Sequence, residues 1–193
     1  MKDKTIVLGL TGSVATTLYQ KLMYELGEIA NLNIVLTKKS YHFLSFEKFC
    51  DSLEYGSNKC SKYYVDDQEW RWGKRMKWRK DDKILHIELS TSASALLIAP
   101  CSANTLAKIA NGISDNLLTT VARAWDFNKP FLIAPAMNTT MWSHPITKEH
   151  ISKLESWGVT IIPPQEKLLA CNVFGNGALS EISIIKEQLK NKL

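Results

Sequence analysis

No two cysteines are spaced Cys-x-x-Cys, and the four in this 193-residue chain, Cys50, Cys60, Cys101 and Cys171, are scattered. That spacing excludes a disulfide-stapled scaffold, a zinc ribbon and a redox dithiol, and it leads us to expect a reducing, cytoplasmic compartment. Long apolar runs are missing too. Ile6 to Leu10, behind two lysines, imitates a signal peptide but is shorter than an apolar signal core and runs into Thr11-Gly12-Ser13. Neither export nor a membrane partner is expected.

Excess charge is absent outside one stretch. Residues 70–83 (WRWGKRMKWRKDDK) hold seven basic and two acidic side chains, which is the whole net charge of +5, and the rest of the chain is balanced. Trp70, Trp72 and Trp78 among those bases could stack on nucleobases. For so short a segment, tryptophans docked on the protein body or on another subunit are the better explanation, so nucleic acid is disfavoured as a partner. Residues 66–83 are read as a basic, Trp-rich insertion or loop within a single domain spanning 1–193. A hydrophobic fraction of 45% with 22% charged residues belongs to a soluble globular protein.

What is present is an alternation of two patterns. Strand-length apolar runs recur at Thr5–Leu10, Asn33–Thr37, Ala95–Ala99, Phe131–Ala134 and Val159–Ile162, without the strict alternation of a half-exposed strand. Between them, Val14, Leu18, Leu22 and Leu26 predict one helical stripe, and Leu106, Ile109, Ile113 and Leu117 predict another. Strand, helix, strand, helix implies a parallel α/β sheet with right-handed crossovers, whose ligands sit beyond the carboxyl ends of the strands. The stretch from Phe43 to Lys83 is the least readable.

Those strand ends are chemically alike. The first carries Gly9-Leu10-Thr11-Gly12-Ser13-Val14-Ala15, where glycines permit close approach and a helix start offers free amides to a phosphate; Ser13 as a plain helix cap explains it equally. A dinucleotide site needs an acidic residue at the end of the second strand, and Thr37-Lys38-Lys39-Ser40 stands there instead, which suits the phosphate and polyol of a mononucleotide. Pro100-Cys101-Ser102-Ala103-Asn104-Thr105 and Pro135-Ala136-Met137-Asn138-Thr139-Thr140-Met141-Trp142 repeat the scheme, each with a proline expected to stop the strand. Together they favour a flat polar ligand.

Gly12 to Ala15, His86-Ile87-Glu88-Leu89, Ser102 to Thr105, Asn111 to Leu118, Pro135 to Trp142, and Ala170-Cys171 followed by Gly175-Asn176-Gly177 occur in the order found in the flavin-containing cysteine decarboxylases. The chain resembles that family from about Ile6 to Glu181, and within it the free-standing eukaryotic branch acting on 4′-phosphopantothenoylcysteine in coenzyme A synthesis. The resemblance implies an α/β, Rossmann-like (flavodoxin-like) parallel sheet with helices on both faces, assembled as a homotrimer with FMN at subunit interfaces. It assigns FMN contacts to Ser13, Val14, Ala15, Thr37, Lys38, Lys39, Ser102, Ala103, Asn104, Thr105 and Ala136, and substrate contacts to Asn138, Met141 and Ala170.

His86 is the active-site histidine by the same resemblance, a base and orienter, since an imidazole exchanges a proton around neutrality; a His between Leu85 and Ile87 would otherwise read as a satisfied, half-buried side chain. Asn138 would hold the substrate carboxylate without neutralising the charge that must disappear. Cys171 would donate the final proton, and Gly175, Asn176 and Gly177 read as a flexible flap. Basic residues of plant and animal relatives are replaced by Ser90-Thr91-Ser92 and Leu168-Leu169; Lys167 or the bases between Arg71 and Lys80 are the expected substitutes. The rival readings are a non-catalytic flavoprotein subunit that inhibits a protein phosphatase, disfavoured because such relatives carry long acidic extensions, and another flavoprotein enzyme acting on peptide cysteines or prenylating flavin.

Overall fold

The computed structural model describes residues 4–55, 61–69, 80, 82–168 and 174–193. β1 (Thr5–Leu10) is followed by a 3-10 turn over Val14–Leu18 and by α1 (Tyr19–Gly27). β2 (Asn31–Leu36), a second 3-10 turn over Lys38–Phe43, α2 (Phe46–Tyr55), β3 (Lys62–Val65) and α3 (Asp66–Glu69) come next. Then come α4 (Leu85–Ser92), β4 (Ala95–Cys101), α5 (Ala103–Ala110), α6 (Leu117–Arg123) and β5 (Phe131–Pro135). The last third holds α7 (Thr139–Trp142), α8 (Pro145–Ser156), β6 (Thr160–Ile161), the strands β7 (Gln165–Leu168) and β8 (Phe174–Ala178), and α9 (Ile182–Lys192).

The strands are apolar throughout because both of their faces are covered. Ile6, Leu8, Leu10, Leu97 and Leu132 pack with Leu22 and Leu26 of α1, Phe49 of α2 and Ile185 and Leu189 of α9. Their neighbours Val7, Leu96, Ile98 and Ile133 turn to the other face, against Leu89 of α4, Leu106 and Ile109 of α5, Val121 of α6 and Leu154 of α8. Each such fully buried Leu or Ile contributes roughly 1.5–3 kcal/mol over its exposed state, so neither helical layer is dispensable. The six strands pair in parallel in the order β3-β2-β1-β4-β5-β6. The result is the expected Rossmann-like α/β sheet, and β7 with β8 forms a separate antiparallel hairpin.

Several local expectations are corrected. Leu22 and Leu26 are buried, but Val14 and Leu18 are 49% and 45% exposed, because the first turn is a 3-10 helix whose three-residue period throws them off the α1 stripe. The second stripe is also broken. α5 ends at Ala110, Gly112 takes a positive φ of 70°, Ile113 is exposed, and Leu117 starts α6 under an Asn116 capping box. Pro100 does not stop its strand, since it lies inside β4 after a cis peptide bond, whereas β5 does end at Pro135. The segment 66–83 begins as helix α3, while residues 70–79 and 81, with all three of its tryptophans, lie outside the described residues.

Candidate active site

The chain builds outward from β1 to β3, then crosses back and builds outward from β4 to β6, so the strand order reverses between β1 and β4. A crevice opens at such a reversal. Thr11, fully buried just past β1, stitches its two sides: its hydroxyl donates to the Pro100 carbonyl at 2.7 Å and accepts from the Ser102 amide at 2.8 Å. Ser13 caps the following turn, accepting from the Ala15 amide at 3.4 Å and donating to the Ala136 carbonyl at 3.1 Å. The Ala136 amide in turn donates to the Cys101 carbonyl at 2.9 Å. Ser13, Ala15, Ser102 and Ala136 are thereby brought to one junction of β1, β4 and β5.

The other residues assigned to the ligand edge sit beside it. Ser102 caps α5, accepting from the Thr105 amide at 3.3 Å and donating to the Thr105 hydroxyl at 3.2 Å. Ala103 and Asn104 form the first turn of α5, Asn104 exposed and Ala103 half-buried. Val14 projects to solvent from the 3-10 turn. Past β2, Thr37 is buried and donates to the Leu10 carbonyl at 3.3 Å, whereas Lys38 and Lys39 are exposed. A Cβ added to Gly12 would lie 2.6 Å from Lys39 Cβ, so the β1 loop must stay bare for these two loops to meet.

His86 occupies the first turn of α4, which leads into the start of β4 and therefore puts its own amino end at the carboxyl edge of the sheet. Its surroundings were not visible from the sequence. Glu69 of α3, only 6% exposed, accepts the His86 amide on Oε2 at 3.0 Å and meets His86 Nδ1 with Oε1 at 2.5 Å. One helical turn earlier in the same helix, Asp66 accepts the Leu117 amide at the start of α6 at 3.0 Å. The other end of α4 is held by Lys129, whose Nζ donates to the carbonyls of Ser90 at 2.5 Å and Ala93 at 2.8 Å while lying 4.5 Å over the Trp125 ring. Burial pushes the Lys129 ammonium below the usual lysine range, with Asp126 opposing. A carboxylate at the amino end and an ammonium at the carboxyl end both complement the helix dipole.

Ser90, Thr91 and Ser92 form the last turn of α4, and their hydroxyls donate back to the carbonyls of Ile87 and Glu88. Beyond β5, Asn138 caps α7, its Oδ1 accepting from the Thr140 amide at 2.8 Å, which fixes the plane of its carboxamide. Met141 is 48% exposed on α7. The predicted flexible flap is corrected: Gly175, Asn176 and Gly177 are in strand β8, paired with β7, and the Gly177 carbonyl accepts the Met137 amide at 2.9 Å. The hairpin is thus fastened to the loop carrying Asn138. Lys167 and Leu168 are exposed in β7. Ala170 and Cys171 lie outside the described residues, as does Leu169.

Sequence reasoning missed Thr11, Asp66 and Glu69. Thr11 stood unremarked inside a quoted motif, and a carboxylate that meets its partner 17 residues away leaves no periodic trace. A parallel sheet whose reversal point is edged by hydroxyls, amides and small residues, with a carboxylate-bound imidazole and a carboxamide at the same carboxyl edge, defines an α/β protein built for a flat phosphorylated ligand. The match is specific. Residues 1–193 fit the model of the Flavoprotein family, and the chain belongs to that family. It is 45% identical over 181 residues to the phosphopantothenoylcysteine decarboxylase of Arabidopsis thaliana, covering 93% of this chain and 80% of that one. It superposes with a TM-score of 0.87 and 41% identity on a cysteine-to-serine variant of a PPC decarboxylase complexed with pantothenoylaminoethenethiol, covering 99% and 98% of the two chains. The FMN binding protein AtHal3 gives a TM-score of 0.83 and 42% identity, covering 98% of this chain and 96% of that one.

Proposed function

We propose that this chain is an FMN-dependent phosphopantothenoylcysteine decarboxylase, converting 4′-phosphopantothenoylcysteine to 4′-phosphopantetheine in coenzyme A synthesis. The observation that carries the reading is near-complete structural agreement with a PPC decarboxylase bearing pantothenoylaminoethenethiol.

The residues at the β1–β4 reversal fit FMN. Ser13, Thr37, Ser102 and Thr105, helix-start amides and two exposed lysines lie at this edge, and the first turn after β2 carries no acidic residue. The bare Gly12 leaves the loop thin. What FMN supplies when bound is a two-electron sink that a saturated thiol lacks: oxidising the cysteine side chain to a thioaldehyde sets C=S beta to the carboxylate, carbon dioxide leaves, and the electrons return to the enethiol.

The chain's own residues supply position and protons. His86 takes the thiol proton on Nε2, because Nδ1 is committed to Glu69. Asn138, its carboxamide plane set by the α7 cap, holds the carboxylate by hydrogen bonding without an ion pair. Met141 shapes the pocket, and the β7–β8 hairpin is tied to the same loop through the Met137 amide and the Gly177 carbonyl. Cys171 delivers a proton to the carbon that lost carbon dioxide, which adjoins the one bearing sulfur, with Ala170 beside it.

The finer reading is a homotrimer in the cytoplasm, with FMN between subunits. Half-exposed Val14, Leu18, Ile113 and Phe127 support association, since a lone subunit leaves them wet. Free thiols at Cys50 and Cys101 support a reducing compartment. Purified protein should be yellow, sediment at three times the chain mass and release carbon dioxide from 4′-phosphopantothenoylcysteine. His86→Asn should abolish that release, and Cys171→Ser should stall after it. A colourless protein that stays colourless with added FMN refutes the reading, and a yellow but inert one leaves the non-catalytic regulatory role.

A further inference from the structure

The carboxylate of Glu69 is buried, and a buried charge is retained only where hydrogen bonds replace its water. Both of its oxygens go to one residue: Oε2 to the His86 amide at 3.0 Å, Oε1 to His86 Nδ1 at 2.5 Å. Gripping backbone and ring together fixes the position of the residue and the rotation of its imidazole at once. An ionised carboxylate can only accept, so the shared hydrogen sits on Nδ1. The neutral ring then carries its lone pair on Nε2.

We propose that Glu69 is the positioning residue for His86, holding the imidazole by backbone and ring in the Nδ1–H tautomer so that Nε2 is the proton-accepting atom. The inference rests on the reading of His86 as the group that takes the thiol proton. A helix cap alone would need one oxygen on the amide and would be indifferent to the ring. Glu69 goes further, and its helix is itself anchored by Asp66 on the start of α6. Carboxylate orientation of an imidazole in this manner sets which ring nitrogen does chemistry.

Glutamine separates the two roles. Glu69→Gln keeps an oxygen for the His86 amide but turns an NH2 toward Nδ1, which must then accept, moving the ring hydrogen to Nε2. The experiment uses the FMN-loaded protein labelled with 15N-histidine, with the His86 signals assigned from His86→Asn. At pH 8 the wild type should show the Nδ1–H tautomer and Glu69→Gln the Nε2–H tautomer. Flavin absorbance should be unchanged, and kcat should fall at least about tenfold with KM within about twofold. A wild type in the Nε2–H tautomer overturns the proposal without any variant. So does Glu69→Gln that keeps the wild-type tautomer, or full kcat in that variant while His86→Asn is inert. If His86→Asn itself remains active, the functional reading fails instead, and the tautomer measurement still decides what Glu69 holds.

Discussion

Gly177→Ala tests whether the hairpin is fastened as the structure shows. Gly177 has φ of 138°, and an added Cβ would lie 2.3 Å from the Met137 carbonyl oxygen, a backbone atom. The neighbouring bond from the Met137 amide to the Gly177 carbonyl, 2.9 Å long, prevents the two segments from drifting apart unless it breaks. If the hairpin stays, alanine costs about 1–2 kcal/mol for the left-handed backbone plus about 1–3 kcal/mol for the collision. If it lifts, the loss is one backbone hydrogen bond, about 0.5–1.5 kcal/mol net, and the contact with the loop of Asn138. The chain takes the cheaper course, so the hairpin lifts. Gly158→Ala is the control: φ is 91° there with nothing within 4 Å of the added Cβ, so only backbone strain is read. Thermal unfolding followed by tryptophan fluorescence should show a fall of roughly 2–6 °C for either variant. Amide exchange at Met137 and decarboxylation should separate them, with faster exchange and at least about tenfold lower activity for Gly177→Ala alone. Gly177→Ala with protected Met137 and normal activity would refute the fastening.

Two further outcomes follow from buried groups. Burial raises the Asp66 carboxyl above its usual range, with Asp67 and Asp115 adding to the rise and the Leu117 amide and Lys108 opposing it. Because the folded state then binds that proton more tightly than the unfolded one, the ionised side chain costs stability above its folded pKa, and the cost fades as pH falls through that value. Asp66→Asn keeps an oxygen for Leu117; denaturant titrations at successive pH values should show wild type gaining on it as pH falls from 7 toward about 4, and a constant difference would contradict this. Cys101 is fully buried, and desolvation pushes its thiol far up, so mass mapping after brief treatment with a thiol reagent should find it unmodified until the protein unfolds.

The sheet was readable because its strands are buried on both faces: Thr5–Leu10 matches β1 residue for residue, and the other four runs fall within two residues of β2, β4, β5 and β6. β3 escaped because an edge strand of Lys-Tyr-Tyr-Val is half exposed and carries no apolar run. The ligand edge was legible as composition, hydroxyls and amides after each strand, since those residue types have few reasons to gather there otherwise. Its wiring was not. Thr11 bridging β1 to β4, Glu69 on His86 and Asp66 on Leu117 join residues 91, 17 and 51 positions apart, and such bonds exist only once the sheet has brought their elements together. The glycines of β8 imitated a loop for a similar reason: they are small because the backbone of Met137 and the side chain of Thr139 press against them.

α3 is four residues long and tied at both ends, by Asp66 to one long-range amide and by Glu69 to another. The chain leaves α3 at Glu69 and comes back to it at His86, so one carboxylate pins the departure and the return together, and the imidazole stands where they meet.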